Sequence, residues 1–181
     1  MDNGKKIILD LCGGTASWSK FYTEAGYDVR LVTLPQDVRL YIPPENIHGI
    51  LAAPPCTVFA NSGARWPRTD EAMVEGLSVM DACLRIIYTT KPKWWALENP
   101  IGKMKRYLGQ PKMYFNPCDY GDPFTKKTCL WGEFTEPIKK PVEPTEGSKM
   151  WAKYGGKSAR TKEMRSMTPQ GFAKAFYLAN Q

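Results

Sequence analysis

The apolar positions fall into short continuous runs separated by stretches with helical spacing. Ile7-Ile8-Leu9-Asp10-Leu11 is apolar apart from one acid and stops at Cys12-Gly13-Gly14, the pattern of a buried parallel strand entering a tight turn. Over residues 15–25, Trp18, Phe21 and Tyr22 recur at helical spacing, and Gly26 closes that helix. Residues 29–34 predict a second strand, followed by Asp37-Val38-Arg39 and a break at Pro43-Pro44. Residues 49–53 predict a third strand that stops at Pro54-Pro55-Cys56. Residues 70–88 predict a long helix with Met73, Leu77, Met80, Leu84 and Ile87 near one face. Trp94-Trp95-Ala96-Leu97 predicts another buried strand, closed by Glu98-Asn99-Pro100.

Strands alternating with helices predict right-handed crossovers and an α/β fold with a mainly parallel sheet. In such sheets ligands bind in the crevice beyond the carboxyl ends of the strands. The Gly turn, the Pro-Pro-Cys turn and the Glu-Asn-Pro cluster each follow a strand, so all three are expected at one edge of the sheet. Beyond Gly109 the texture changes. Residues 110–165 are rich in Pro, Lys and Gly, with the strand-like piece Thr128-Cys129-Leu130-Trp131 and a basic, irregular stretch over 147–165. Residues 172–179 predict a closing helix with Thr168-Pro169 at its start. No repeat is present, and a single domain over residues 1–181 is expected.

Composition narrows the class. A domain of 181 residues buries roughly 70% of the surface its unfolded chain exposes, so a core needs no covalent staples. Five cysteines, odd in number, widely spaced and without C-x-x-C, argue against a disulfide framework or a zinc site, and no metal is expected. His48 is the sole histidine, which leaves Ser-His-Asp or Cys-His catalysis little support. No apolar run approaches the ~20 residues that span a bilayer. The first residues lack the apolar core of a signal peptide, so a cytoplasmic protein with no membrane partner is expected. The net charge of +7 favours polyanionic partners, chiefly nucleic acid.

The strand-end clusters carry the candidate chemistry. A Gly-rich turn lets main chain approach a ligand closely, although an ordinary tight turn would carry the same Gly-Gly. Two prolines stiffen the turn before Cys56 and can hold its thiol for attack, although most free cysteines are simply buried small hydrophobes. An unperturbed thiol is only a few per cent thiolate at neutral pH. Arg65 or Arg68 is expected to help ionise it if their loop folds over. Glu98 reads either as a turn carboxylate or as an acid facing the crevice of Cys56 with a raised pKa. Over 147–165, Lys149, Lys153, Lys157, Arg160, Lys162 and Arg165 are interleaved with Trp151 and Tyr154, which suits phosphate contact and base stacking, or a solvated basic loop.

Taken in order, these clusters resemble the cytosine-5 DNA methyltransferase family. Asp10-Leu11-Cys12-Gly13-Gly14 resembles its cofactor turn, and Asp37 in Asp37-Val38-Arg39 resembles the acid that meets the adenine of S-adenosyl-L-methionine. Pro54-Pro55-Cys56 resembles the catalytic turn, and Glu98-Asn99 resembles the Glu-Asn motif. Tyr120-Gly121-Asp122-Pro123 resembles the step into the basic motif. Arg165-Ser166-Met167-Thr168-Pro169 resembles a late motif whose helix packs beside the cofactor turn. The match is good over residues 7–123 and loose in the tail.

The resemblance implies a Rossmann-like class I methyltransferase fold. It also implies methyl transfer to carbon 5 of cytosine in DNA, duplex or single-stranded. Cys56, Glu98 and Asn99 would be catalytic. S-adenosyl-L-methionine, leaving as S-adenosyl-L-homocysteine, would be held by Asp10, Cys12, Gly13, Gly14, Thr15, Ser17, Trp18, Asp37, Val38 and Pro54. Nucleic acid would meet Arg65, Lys126, Lys127, Lys153, Lys157 and Arg160. The sequence departs from the family where Phe124-Thr125-Lys126-Lys127-Thr128 replaces a pair of arginines, and where Pro100 replaces the usual valine after Glu-Asn. The stretch from Trp131 to Arg165 is also shorter than the ~50 residues of a small domain. A short basic segment at about 132–165 therefore stands where a target-recognition domain would be, unless a partner chain or a second copy supplies one. A methyltransferase-like module that binds nucleic acid without turnover, or an enzyme acting on RNA or free cytosine nucleotides, fits the same motifs.

Overall fold

The structure, a computed structural model, describes residues 3–63, 67–148 and 159–181. Six strands form one sheet: β1 (Ile7–Leu11), β2 (Asp28–Val32), β3 (Ile47–Ala52), β4 (Trp94–Pro100), β5 (Met113–Phe115) and β6 (Thr128–Glu133). Their spatial order is β2-β1-β3-β4-β6-β5. The first four run parallel, while β6 runs antiparallel to both β4 and β5. Five α-helices are described: α1 (Lys20–Glu24), α2 (Asp70–Thr90), α3 (Lys105–Leu108), α4 (Ala159–Ser166) and α5 (Gln170–Ala179).

Strand alternation builds two cores. Leu9, Leu11, Ile50, Ala52 and Leu97 face α2 and pack with Met80, Cys83, Ile86 and Ile87. Ile8, Leu51, Ala96 and Leu130 face the other way, onto Trp18, Tyr22, Trp94, Phe172 and Phe176. Helix α2 starts where the Thr69 side chain accepts from the Ala72 amide at 3.2 Å, with Asp70 and Glu71 favourably placed in its first turn. Its buried stripe is Gly76, Met80, Cys83 and Ile87, with Met73, Leu77 and Leu84 at the border. The stripe lies off the expected face because Gly76 lets α2 sit against Val58; a Cβ there would stand 2.4 Å from Val58 Cγ2.

Two expected elements have other bounds, and one strand was not expected. The helix expected over 15–25 is only α1, because Gly14 (φ 52°) and Ala16 (φ 55°) hold left-handed backbone that no α-helix accommodates. Strand β4 runs past Leu97 to end with Glu98-Asn99-Pro100, which pair with Leu130, Cys129 and Thr128 of β6. The short strand β5 carries no pattern of its own and forms by pairing with β6. Among the described residues no helix is long and apolar enough to cross a membrane.

Candidate active site

The glycine turn leaves β1 at the carboxyl edge of the sheet. Asp10, fully buried in β1, accepts a 2.5 Å hydrogen bond from Ser19 Oγ at Oδ2 and has no donor at Oδ1. Burial pushes its carboxyl up to about 6, against the pull of the Ser19 hydrogen bond. Gly13 is required next to it, since a Cβ would stand 2.2 Å from Asp10 Oδ1. Gly14, by contrast, faces open space, with nothing within 4 Å of a Cβ. Thr15 is exposed beside it. Ser17 is buried, and its hydroxyl accepts from the Thr168 amide at 2.8 Å, while its carbonyl accepts from Gln170 Nε2 at 3.1 Å. Trp18 points away from this edge, with its ring against Phe172 and Phe176. The turn and the start of α5 thus form one unit, but Trp18 can offer a ligand only its main chain.

The second turn is clasped to β4. The Ala53 amide donates to the Leu11 carbonyl at 2.9 Å, and Asn99 Nδ2 donates to the Pro54 carbonyl at 3.0 Å. Phe59 and Ala60 amides both donate to the Cys56 carbonyl, closing a helical turn around the cysteine. Further on, the Asn61 amide donates to Ile101 and the Lys103 amide to Phe59. Gly102 permits that approach, because a Cβ would stand 2.0 Å from the Phe59 carbonyl oxygen. The Cys56 loop therefore cannot move independently of the strand that carries Glu98.

Cys56 and Glu98 share one electrostatic environment. Burial pushes the Cys56 thiol up, the Glu98 carboxylate pushes it further, and the charges of Lys126 and Arg165 pull it down. Burial likewise raises the Glu98 carboxyl, with Lys126 pulling it down. The Glu98 main chain is paired with Leu130 of β6. Lys126 Nζ donates to the Arg165 carbonyl at 3.1 Å, which ties the residues before β6 to the end of α4. The sequence reading missed Arg165 as a neighbour of Cys56, since only the tertiary fold brings α4 there. The Arg68 guanidinium donates to the Ala60 carbonyl at 2.6 Å, and the charges acting on Cys56 are those of Glu98, Lys126 and Arg165.

The remaining expected residues are dispersed. Asp37 is half-buried and closed onto Arg39 at 2.6 Å, and Arg39 also reaches Glu75 at 2.6 Å. That pairing holds the Asp37 carboxyl below its usual range. Val38 is buried in the core. Lys127 turns outward, its ammonium 5.5 Å from the Tyr114 ring centre. Arg65, Lys153 and Lys157 lie outside the described residues, and of Arg160 only its place in α4 is described. No group of metal-ligating side chains is present among the described residues.

Asp10 Oδ1 is a buried acceptor without a donor, and the main chain at Gly14 is open. No protein-family model and no curated protein matches the chain. Among solved structures it is similar to a candidate DNA modification methyltransferase encoded within an E. coli prophage, with 18% identity and a TM-score of 0.52 over 77% of this chain. The chain spans about half of that structure, 53% of its length. The likeness is one of fold: a six-stranded, mostly parallel α/β sheet flanked by helices.

Proposed function

We propose that this protein transfers a methyl group from S-adenosyl-L-methionine to carbon 5 of cytosine in DNA, with Cys56 as nucleophile. The observation that carries the proposal is the shared electrostatic environment of Cys56 and Glu98, with Lys126 and Arg165 acting on it. S-adenosyl-L-methionine would be held by Asp10, Cys12, Gly13, Gly14, Thr15 and the main chain of Ser17 and Trp18, with Asp37, Val38 and Pro54 at its rim. When bound, it supplies an electrophilic methyl. The Asp10 carboxyl, raised to about 6, is drawn into its charged form by an amine at Oδ1.

The chain's own residues then divide the work. Cytosine carbon 5 is a weak nucleophile, and thiolate addition at carbon 6 breaks the ring conjugation and makes carbon 5 enamine-like. Cys56 makes that bond. Glu98 in its protonated form donates to ring nitrogen 3 and stabilises the electron-rich adduct. Protonation of Glu98 also removes the negative charge that opposes the Cys56 thiolate, leaving Lys126 and Arg165 to favour it. Asn99 positions the turn through Pro54. A base, such as water, removes the carbon-5 proton, and the thiolate departs. In a duplex the base must leave the stack, at a cost of a few kcal/mol. Lys126 and Lys127, with the basic segment over 147–165, would meet the phosphates, so recognition rests on a short segment or on a second chain.

The test is transfer of labelled methyl to duplex DNA, single-stranded DNA, RNA or cytosine nucleotides. The expected result is label at cytosine carbon 5 in DNA, abolished by Cys56→Ala with S-adenosyl-L-methionine binding retained. Turnover that survives Cys56→Ala overturns the mechanism, and label only on RNA or nucleotides overturns the choice of substrate.

A further inference from the structure

Two thiols meet beneath the glycine turn, and neither sulfur takes a chemical step in the mechanism above. Cys12 Sγ lies 4.0 Å from Cys83 Sγ. Cys12 is the first residue after β1, and Cys83 sits on the buried stripe of α2, 71 residues along the chain. Among the five cysteines no other pair is in contact. Cys12 is partly exposed and Cys83 is buried, so an oxidant meets Cys12 first.

We propose that Cys12 and Cys83 form a redox pair, which a peroxide converts to a disulfide that reshapes the glycine turn. The Cys12 thiolate attacks one peroxide oxygen, the O–O bond breaks, and the departing oxygen leaves as water or alcohol after taking a proton. Cys12 is then a sulfenic acid. Cys83 sulfur attacks Cys12 sulfur, the S–OH bond breaks, and the Cys83 proton leaves with the hydroxide as water. Two thiols have lost two electrons and two protons, and the peroxide has been reduced by the same two electrons.

The site is built for that order of events. The Cys83 thiol can donate to a Cys12 thiolate, which lowers the Cys12 pKa and raises that of Cys83. The attacking and resolving roles are thereby separated. Disulfide formation must bring the sulfurs from 4.0 Å to about 2 Å. Cys83 lies within the 21-residue helix α2 against the core, so the movement falls on the turn. Cys12 already holds φ 59°, a left-handed backbone uncommon outside glycine. Its neighbour Gly13 lies beside the Asp10 carboxylate, where even a Cβ would stand 2.2 Å from Oδ1. A displacement of Cys12 moves the backbone directly joined to that site. The effect on methyl-donor binding rests on the function proposed above; the cross-link does not.

The experiment treats the reduced protein with hydrogen peroxide, blocks remaining thiols by alkylation, and maps cross-linked peptides by mass. The expected result is a Cys12–Cys83 peptide that dithiothreitol removes, with altered amide exchange over residues 10–19. Cys83→Ala, and Cys83→Ser as a second variant, should instead leave Cys12 as a sulfenic acid that dimedone traps. Affinity for S-adenosyl-L-methionine should fall by roughly tenfold or more on oxidation of the wild type and stay level in the Cys83 variants. Oxidation of Cys12 without the cross-link, or a cross-link that leaves amide exchange unchanged, overturns the proposal. If the reduced protein binds no S-adenosyl-L-methionine, the proposed function fails while the peptide map and exchange still decide the redox pair.

Discussion

Asn99 reaches across from β4 to the Pro54 carbonyl, and this single buried hydrogen bond, 3.0 Å long, joins the strand of Glu98 to the turn of Cys56. Asn99 points to the α2 side of the sheet, and its neighbour Glu98 points to the other. One residue thus holds the turn while its neighbour faces the opposite side of the sheet. Asn99→Ala leaves the Pro54 carbonyl without its donor and should cost about 1–3 kcal/mol in urea unfolding. If Asn99 acts by positioning, kcat should fall while the KM for S-adenosyl-L-methionine stays near the wild-type value. An unchanged kcat would remove Asn99 from the mechanism.

Glu98 and Lys126 should tune Cys56 in opposite directions. Removing the carboxylate with Glu98→Gln lowers the thiol pKa, so the pH midpoint of iodoacetamide alkylation at Cys56 moves down. Lys126→Met removes a favourable charge, and the midpoint moves up. Peptide mapping assigns the alkylation to Cys56, and a midpoint that ignores both changes would mean that these groups do not face the thiol.

Asp10 makes stability depend on pH in the sense opposite to a paired surface carboxylate. Its folded value of about 6 exceeds the ordinary 3.8, so the folded state binds its proton more tightly than the unfolded state does. The resulting stability is full below about pH 3.8 and is lost as pH rises through about 6. By linkage the difference is about 3 kcal/mol. Asp10→Asn should therefore unfold later than the wild type at pH 7.5. Its advantage should shrink between pH 6 and pH 4. Urea titrations of both proteins across that range give the difference directly, and a constant difference would place the titration elsewhere.

The two glycines of the turn should respond differently to alanine. Gly13→Ala drives a Cβ to within 2.2 Å of the Asp10 carboxylate and should cost about 1–3 kcal/mol, as overpacking does. Gly14→Ala meets no atom and suffers only its left-handed φ of 52°, which costs about 1–2 kcal/mol. Thermal unfolding of the two variants should rank Gly13→Ala lower, and its loss of ligand affinity should be the larger.

Local patterning made the parallel half of the sheet legible. Ile7 to Leu11 and residues 49–53 are apolar runs whose ends are punctuated by Gly or Pro; β1 lies where its run predicts, and β3 (Ile47–Ala52) starts two residues before its run and ends one residue short of it. Properties that depend on distant partners were not legible. Glu98 is paired inside β4 because Leu130 of β6 arrives beside it. Met113 to Phe115 is too short to show a period. The face of α2 follows from Gly76 meeting Val58, which no helical spacing reveals. At the site, the Pro-Pro-Cys turn and Glu98 could be placed at one edge from sequence order alone. The approach of Arg165, the Ser19 hydrogen bond to Asp10 and the contact of Cys12 with Cys83 depend on how separate segments pack.

Strand β6 has a further consequence through its direction. A parallel strand delivers chemistry to the crevice only from its exit, so each new functional segment costs a full crossover back across the sheet. Since Thr128 pairs with Pro100 and Glu133 with Trp95, β6 begins at the crevice and runs away from it. Lys126 thus arrives on the way in rather than on the way out. Reversal of this one strand lets a small sheet receive side chains from both ends of its ribbons.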